Sequence, residues 1–330
     1  MNIKIYPYGY IFYLLFYFFG IRLKKHLQLV NMKGYAMIRL SNGVEFEYVN
    51  ASGALNYDGN GYLPEQPLRM TGYLNSSLPR SITIAKSLTF NPNKGNFKWY
   101  WPWGCIRPIW DGGEIIGVHN AYGLTNPGYL RWCRKIGSRV DSSKIRLAVS
   151  ICGEPDELAE MAAAVSDFDI VAVEVNVGCP NTKGGVKLNP GKIIESCHKV
   201  KSRTQKPVFL KVSVAHQGVM PEILKGIEDV VEVLEINSVP WDMVFPGRKS
   251  PLAKFGGGAV SGKIVQRITW PFAELLTSMT QIPVVWPSMW DYSDIGLVEK
   301  VGAQAKSFGS VYTFHPWRPT AFIRRKEKSR

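Results

Sequence analysis

The chain has little of what metal and nucleotide sites are usually built from. Its five cysteines stand at 105, 133, 152, 179 and 197 with no CxxC pair, and its five histidines are equally scattered. No metal-ligand spacing results, so no metal is expected. An odd, dispersed cysteine count also argues against a disulfide framework and suits a reducing compartment. No internal repeat or low-complexity segment is present. Acidic side chains are outnumbered, 26 to 40 basic, for a net charge of +14. The basic residues are spread along the chain rather than blocked, which reads as a surface that favours anionic ligands. The longest apolar run, residues 8–21, has fourteen residues where a membrane span needs about 20. It lacks the small-residue cleavage site of a secretory signal. A membrane-surface anchor and a non-native leader both remain open for residues 1–36, since Met32 or Met37 could each start a complete domain. The expected division is therefore a leader, 1–36, and one domain, 37–330. The expected location is the cytoplasm, with membrane contact through 8–21 left open.

What the chain does contain is alternation. Strand-like runs occur at 46–52, 82–88, 145–152, 170–177, 207–213, 230–237, 282–286 and 303–308. Helix-like segments at 155–166, 189–204, 220–230, 263–280 and 293–301 separate the later ones. The stretch 89–145 shows few clear elements beyond a helix near 128–136, and 324–330 reads as a solvated tail. Eight strands alternating with helices predict a (β/α)8 TIM barrel. A doubly wound sheet would carry a glycine fingerprint after its first strand, and Asn50-Ala51-Ser52-Gly53 is not one.

The most informative stretch is 171–181, VAVEVNVGCPN. A valine-rich buried strand ends at Asn176, and Pro180 bars its continuation. Cys179 stands where a strand leaves the sheet, which is either a small buried hydrophobe or a functional thiol. Polar residues gather at the other predicted strand ends: Ala51-Ser52-Gly53, Lys86-Ser87, Asn237-Ser238 and Gly309-Ser310, with Lys211 inside strand five. In a barrel these ends share one mouth. Lysines inside apolar strands call for an anionic partner. The glycines of 255–258 and Ser261-Gly262 offer backbone N–H groups to a phosphate.

Four ordered motifs then resemble the dihydroorotate dehydrogenase family over residues 44–315. They are Asn50-Ala51-Ser52-Gly53; AKSLT at 85–89 with Asn91-Pro92 and Gly95-Asn96; HNAYGLTNPG at 119–128; and EVNVGCPN at 174–181. The resemblance implies an FMN-bearing barrel that oxidises dihydroorotate to orotate in pyrimidine synthesis. Cys179 would be the base that takes the C5 proton, with hydride passing from C6 to the flavin. Lys86, Asn120, Tyr122, Gly123, Leu124, Asn176, Asn181, Asn237 and Ser238 would hold the substrate. Ala51, Ser52, Gly53, Lys86, Ser87, Asn176, Lys211, Ile236, Gly257, Gly258, Ser288, Gly309 and Ser310 would hold FMN, with Lys211 paired to the flavin ring. A cysteine base implies the soluble class 1 enzymes, usually dimers, some with an electron-transfer partner subunit. The apolar leader hints instead at the membrane-bound class, which uses serine. The electron acceptor stays open.

Two departures stand out. Trp286-Pro287-Ser288-Met289 occupies the place of a Gly-x-Gly-Gly phosphate turn, and Gly178 replaces the family's usual serine. Glycines at 288 and 289 would be the family-like residues. Two alternatives accompany this reading. One is a tRNA-dihydrouridine synthase-like FMN reductase, which shares the Gly-Cys-Pro triple. The other is a flavin-fold protein that binds a ligand without catalysis. Nucleic acid is not the expected partner.

Overall fold

Short, mostly apolar runs, several of them closed by a polar residue, form eight parallel strands. These are β1 (Tyr48–Asn50), β2 (Ser81–Leu88), β3 (Leu147–Ile151), β4 (Ala172–Asn176), β5 (Val208–Val212), β6 (Val233–Ile236), β7 (Val285–Trp286) and β8 (Ala305–Phe308). They come from a computed structural model that describes residues 37–98, 100–178 and 188–330. Each strand pairs in parallel with its sequence neighbour, and β8 pairs with β1. Between β6 and β7 the ring is closed by the parallel bridge Leu234–Val284 and by Leu234 N–H donating to Pro283 O at 2.9 Å. The eight strands match the eight expected from sequence to within a few residues. The first begins two residues later than expected. Glu45–Phe46 leaves the barrel to pair antiparallel with Ile38–Arg39.

Alternation along the strands sorts side chains between lumen and exterior. Val173, Val175, Leu210, Val212 and Leu234 face the helices and join one continuous core with Leu158, Met161, Ile193 and Cys197. Ile82, Ile84, Ala148, Ala172, Phe209, Val233 and Val285 fill the lower lumen with Ile38, Leu40 and Phe46 from the N-terminal ribbon. The helix Pro155–Ser166 buries Leu158, Met161, Ala162 and Val165, a spacing of one helical face, and Glu157 closes its start by accepting from Glu154 N–H at 3.0 Å. The helix Pro190–Lys201 is capped by Asn189, which accepts from Lys192 N–H at 3.2 Å.

Two expectations need correcting. Residues 89–145 hold more structure than their sequence suggested. Ile106–Asp111 and Glu114–Asn120 form a hairpin that joins Ala259–Gly262 and Val239–Pro240 in a four-stranded antiparallel sheet. The hairpin turns at Gly112-Gly113, both left-handed, as a two-residue turn demands. The basic C-terminus is not a free tail either. It continues the helix Arg318–Lys328, which buries Pro319, Thr320 and Ile323. Lys326 donates to Glu299 at 2.7 Å, and Arg330 forks onto both oxygens of buried Glu47 at 2.6 and 2.7 Å. Fully buried Lys306 of β8 completes this network, at 2.9 Å from Glu47 and 3.0 Å from Glu299.

Met37–Arg330 is one compact unit. No helix among the described residues is long and apolar enough to cross a membrane. The leader 1–36, Cys179 and Asn181 lie outside the described residues. Because a buried ion pair is costly once one partner is lost, Lys306→Ala is expected to destabilise the fold by about 3 kcal/mol. Equilibrium urea unfolding checks this, and an unchanged midpoint would mean the network carries no stability.

Candidate active site

The C-terminal strand ends surround a cavity of about 510 Å³. Most sequence-predicted site residues line it: Ala51, Ser52 and Gly53 after β1; Lys86 and Ser87 at the end of β2; Asn120, Tyr122 and Leu124 from the hairpin and its loop; Asn176 of β4; Lys211 of β5; Ile236, Asn237 and Ser238 at β6; Ser288 after β7; and Gly309 and Ser310 after β8. Gly123, Gly257 and Gly258 do not line it. Gly257 O instead accepts from Ser250 Oγ at 2.6 Å and meets His119 Nε2 at 2.7 Å, so that glycine turn braces the antiparallel sheet.

Lys86 and Ser87 are consecutive, yet both reach the cavity. Strict alternation would send one outward. The β2–β3 pairing slips between Ala85 and Leu88, and this bulge brings the pair to the mouth. Ser87 Oγ is then a hub, 3.1 Å from Ser52 Oγ and 2.8 Å from Ser150 Oγ, and it accepts from Asn176 Nδ2 at 3.0 Å. Asn176 Oδ1 in turn accepts from Asn237 Nδ2 at 3.3 Å, and Asn237 Oδ1 from Ser238 N–H at 2.8 Å. The network fixes which way the amides point, leaving a rigid polar wall.

The two cavity lysines have opposite surroundings. The Lys86 ammonium sits 5.2 Å from the Tyr122 ring centroid, 5.6 Å from Tyr57 and 5.9 Å from Phe97. No carboxylate among the described residues pairs with it. Burial lowers its pKa to about 8, with only Cys105 opposing. Lys211 was expected to find its counter-charge in a flavin ring. The protein supplies it instead: Nζ lies 3.3 Å from Glu174 Oε2 and 3.4 Å from Glu235 Oε2. Burial works against this ammonium, but the two carboxylates outweigh it and hold its pKa above the ordinary value.

Several lining residues went unnoticed in the sequence. Tyr62 and Glu65 belong to the short turn before Gln66–Met70, where Glu65 Oε2 accepts from Tyr62 N–H at 2.7 Å and Tyr62 Oη donates to Gly53 O at 2.9 Å. Tyr312 follows β8 and donates to Asn50 Oδ1 at 2.6 Å. Nothing in their local sequence marks them. Glu235, which lies behind the wall rather than in it, did leave a signal: an acid inside Val-Leu-Glu-Ile, on the strand beside Lys211 and in register with it.

Both departures from the family pattern have a physical basis. A Cβ at Gly178 would stand 2.6 Å from Val212 C and 2.8 Å from Ser213 N, so β5 leaves no room for serine. In the turn after β7, Ser288 adopts the left-handed φ of 67° that glycine favours. Gln266 Nε2 donates to Ser288 O at 2.9 Å and Trp270 Nε1 to Pro287 O at 3.0 Å, which ties the turn to the preceding helix, Gln266–Met279. Met289 is different. It is buried in the core and its N–H donates to Ser307 O at 3.2 Å, so a glycine there would open a cavity.

A parallel barrel with amides and lysines converging at its C-terminal mouth is the architecture of a small-molecule enzyme site. The family is identifiable as well: residues 73–286 match the family model described as dihydroorotate dehydrogenase, and the chain belongs to that family. The catalytic subunit of dihydroorotate dehydrogenase B (NAD(+)) of Methanocaldococcus jannaschii is 30% identical over 194 residues, 56% of this chain and 59% of that one. Dihydroorotate dehydrogenase A (fumarate) of Lactobacillus delbrueckii subsp. bulgaricus is 28% identical over 178 residues, 51% and 58% respectively. The chain thus spans under two thirds of these relatives' length. The crystal structure of DHODH from Eimeria tenella in complex with ferulenol superposes with a TM-score of 0.64 at 16% identity, covering 88% of this chain and 82% of that one. That likeness speaks for the fold. The family match does not favour the tRNA-dihydrouridine synthase reading.

A left-handed non-glycine residue costs roughly 1 kcal/mol. Ser288→Gly is therefore expected to stabilise the protein by about that amount, read as a rise in Tm. A fall in Tm would show that the serine hydroxyl matters more than the backbone strain.

Proposed function

We propose that this protein oxidises dihydroorotate to orotate. The observation that carries the reading is Lys86: a half-buried side chain whose ammonium sits in a cage of three aromatic rings, without a carboxylate partner among the described residues, in one cavity wall with the amides of Asn176 and Asn237. An anionic, planar ligand bearing amide groups matches that wall, because the ammonium meets its carboxylate and the amides meet its ring donors and acceptors.

FMN fits the rest of the cavity. Ser52 and Ser87 offer hydroxyl oxygens and Lys211 an ammonium to a ring, and Gly309, Ser310 and Thr313 offer backbone and hydroxyl groups to a phosphate. The Pro287 turn adds little there, since Pro287 has no N–H and the carbonyls of Pro287 and Ser288 are held by the helix behind. FMN binding weaker than in relatives with a glycine turn is the expected consequence. When bound, FMN supplies the acceptor for a hydride. The chain's own work is to bind the substrate through Lys86 and the amides, to hold it in one orientation, and to take a proton. We assign that proton transfer to Cys179, on its place in the Glu-x-Asn-x-x-Cys-Pro-Asn motif, with Asn181 and Asn120 completing the substrate's contacts. The acceptor that reoxidises the cofactor is fumarate or an NAD-linked partner subunit, following the relatives' names.

Titration of the flavin-loaded protein with dihydroorotate tests the reading. Bleaching of the flavin is expected, and no saturable FMN binding would remove it. A base contributes roughly 10²–10⁴-fold to rate, so Cys179→Ala is expected to slow reduction by that factor while flavin content stays unchanged. The Lys86 pKa gives a pH signature. Its charge is present below about pH 8 and lost above it. Orotate affinity is expected to weaken roughly tenfold per pH unit above that point. In Lys86→Met affinity should be low throughout and flat with pH; a retained slope would place the titration elsewhere.

A further inference from the structure

Glu174, Lys211 and Glu235 form a charge cluster inside the barrel, directly below the cavity. All three are buried, at 0%, 5% and 1% exposure, and Lys211 alone of them reaches the cavity wall. Each carboxylate gives Oε2 to the ammonium and keeps an Oε1 that no donor among the described residues reaches. Two ionised carboxylates and one ammonium leave an uncompensated negative charge in a buried lumen, and two orphaned acceptors besides. A single proton on the pair removes the charge and supplies a donor for an orphaned oxygen.

We propose that Glu174 and Glu235 hold one proton between them beneath the cavity, and that this proton sets the charge which the Lys211 floor presents to a bound redox cofactor. The second half rests on the flavin reading; the first does not. With the proton in place the cluster is neutral, Lys211 against one carboxylate. Without it the floor is negative and opposes the charge a cofactor gains on reduction. Burial first, and then Glu174, raise the Glu235 pKa to about 8, within the physiological range of change. The titratable groups facing Glu235 are Lys211 from β5 and Glu174 from β4, while β3 presents Ser150 and β7 presents Val285. Glu235 is thus a positioning residue that acts through Lys211.

The sign comes from linkage. A carboxyl that stays protonated in the fold but ionises at its ordinary value of 4.5 when unfolded makes stability fall as pH rises from about 4.5 to about 8. Urea unfolding of the full chain from pH 5 to 9, wild type against Glu235→Gln, reads this without any cofactor. The wild-type folding constant relative to the variant's is expected to fall about tenfold per pH unit up to about pH 8 and then level off. Parallel profiles would overturn the shared proton. If Glu235→Gln does not fold, infrared spectra of the wild type decide: a protonated-carboxyl band at neutral pH that disappears by pH 9 supports it, and its absence at neutral pH overturns it. The cofactor half is read from the midpoint potential of bound flavin against pH. Wild type should show a steeper dependence above the pair's titration, and Glu235→Gln should not. Equal slopes would overturn the coupling, whereas failure to bind flavin would remove the flavin reading and leave the unfolding result standing.

Discussion

Closing a parallel sheet into a ring forces every second side chain of every strand into a space that water cannot reach. The rest of this protein depends on how that space is filled. Its lower part is apolar, with Ile82, Ile84, Phe209 and Val233 sealed by Phe46 and Ile38 of the N-terminal ribbon. Its middle carries charge, and charge without water must be partnered by charge. Lys211 therefore stands between Glu174 and Glu235 on the two neighbouring strands. Only at the mouth, where the strands end, do Asn176 and Asn237 meet the cavity with amides rather than with apolar surface.

Burial alone does not decide what a lysine does. Lys211 is buried and Lys86 half-buried in the wall of one cavity, and their pKa values move in opposite directions. Lys211 is saturated by carboxylates and serves the field of the floor. Lys86 is surrounded by rings, which soften the cost of its charge without cancelling it. An anion arriving in the cavity gains most at Lys86. The bulge in β2 is what makes this arrangement reachable, since it delivers Lys86 and Ser87 to the same side of one strand.

The departures from the family pattern divide by what the backbone requires. Gly178 is imposed by the approach of β5, which leaves no space for a Cβ. Ser288 keeps a glycine-like conformation without being glycine. Met289 has abandoned the glycine role and become part of the core. The corner they form is tied to the adjacent helix through Gln266 and Trp270. Under the proposed function, a cofactor phosphate would be held at Gly309 and Ser310 instead.

The barrel itself was legible in the chain. Apolar runs interrupted by helix-length segments encode their own period, and the polar residues that close several of them, Asn176 and Asn237 above all, mark the end at which a site forms. The motifs around Ser52, Lys86, Asn120 and Asn176 carried the family and most of the cavity wall for the same local reason. The antiparallel sheet was harder to read, because its strands are half exposed and carry Pro108, so that only Gly112-Gly113 marked the turn. The basic C-terminus looked solvated because its partners, Glu47 and Glu299, are remote in sequence. Partnership was what sequence withheld. That Lys211 is answered by two glutamates and Lys86 by none among the described residues depends on which strands become neighbours and on which face each side chain takes. Those are properties of the closed ring and not of any segment in it.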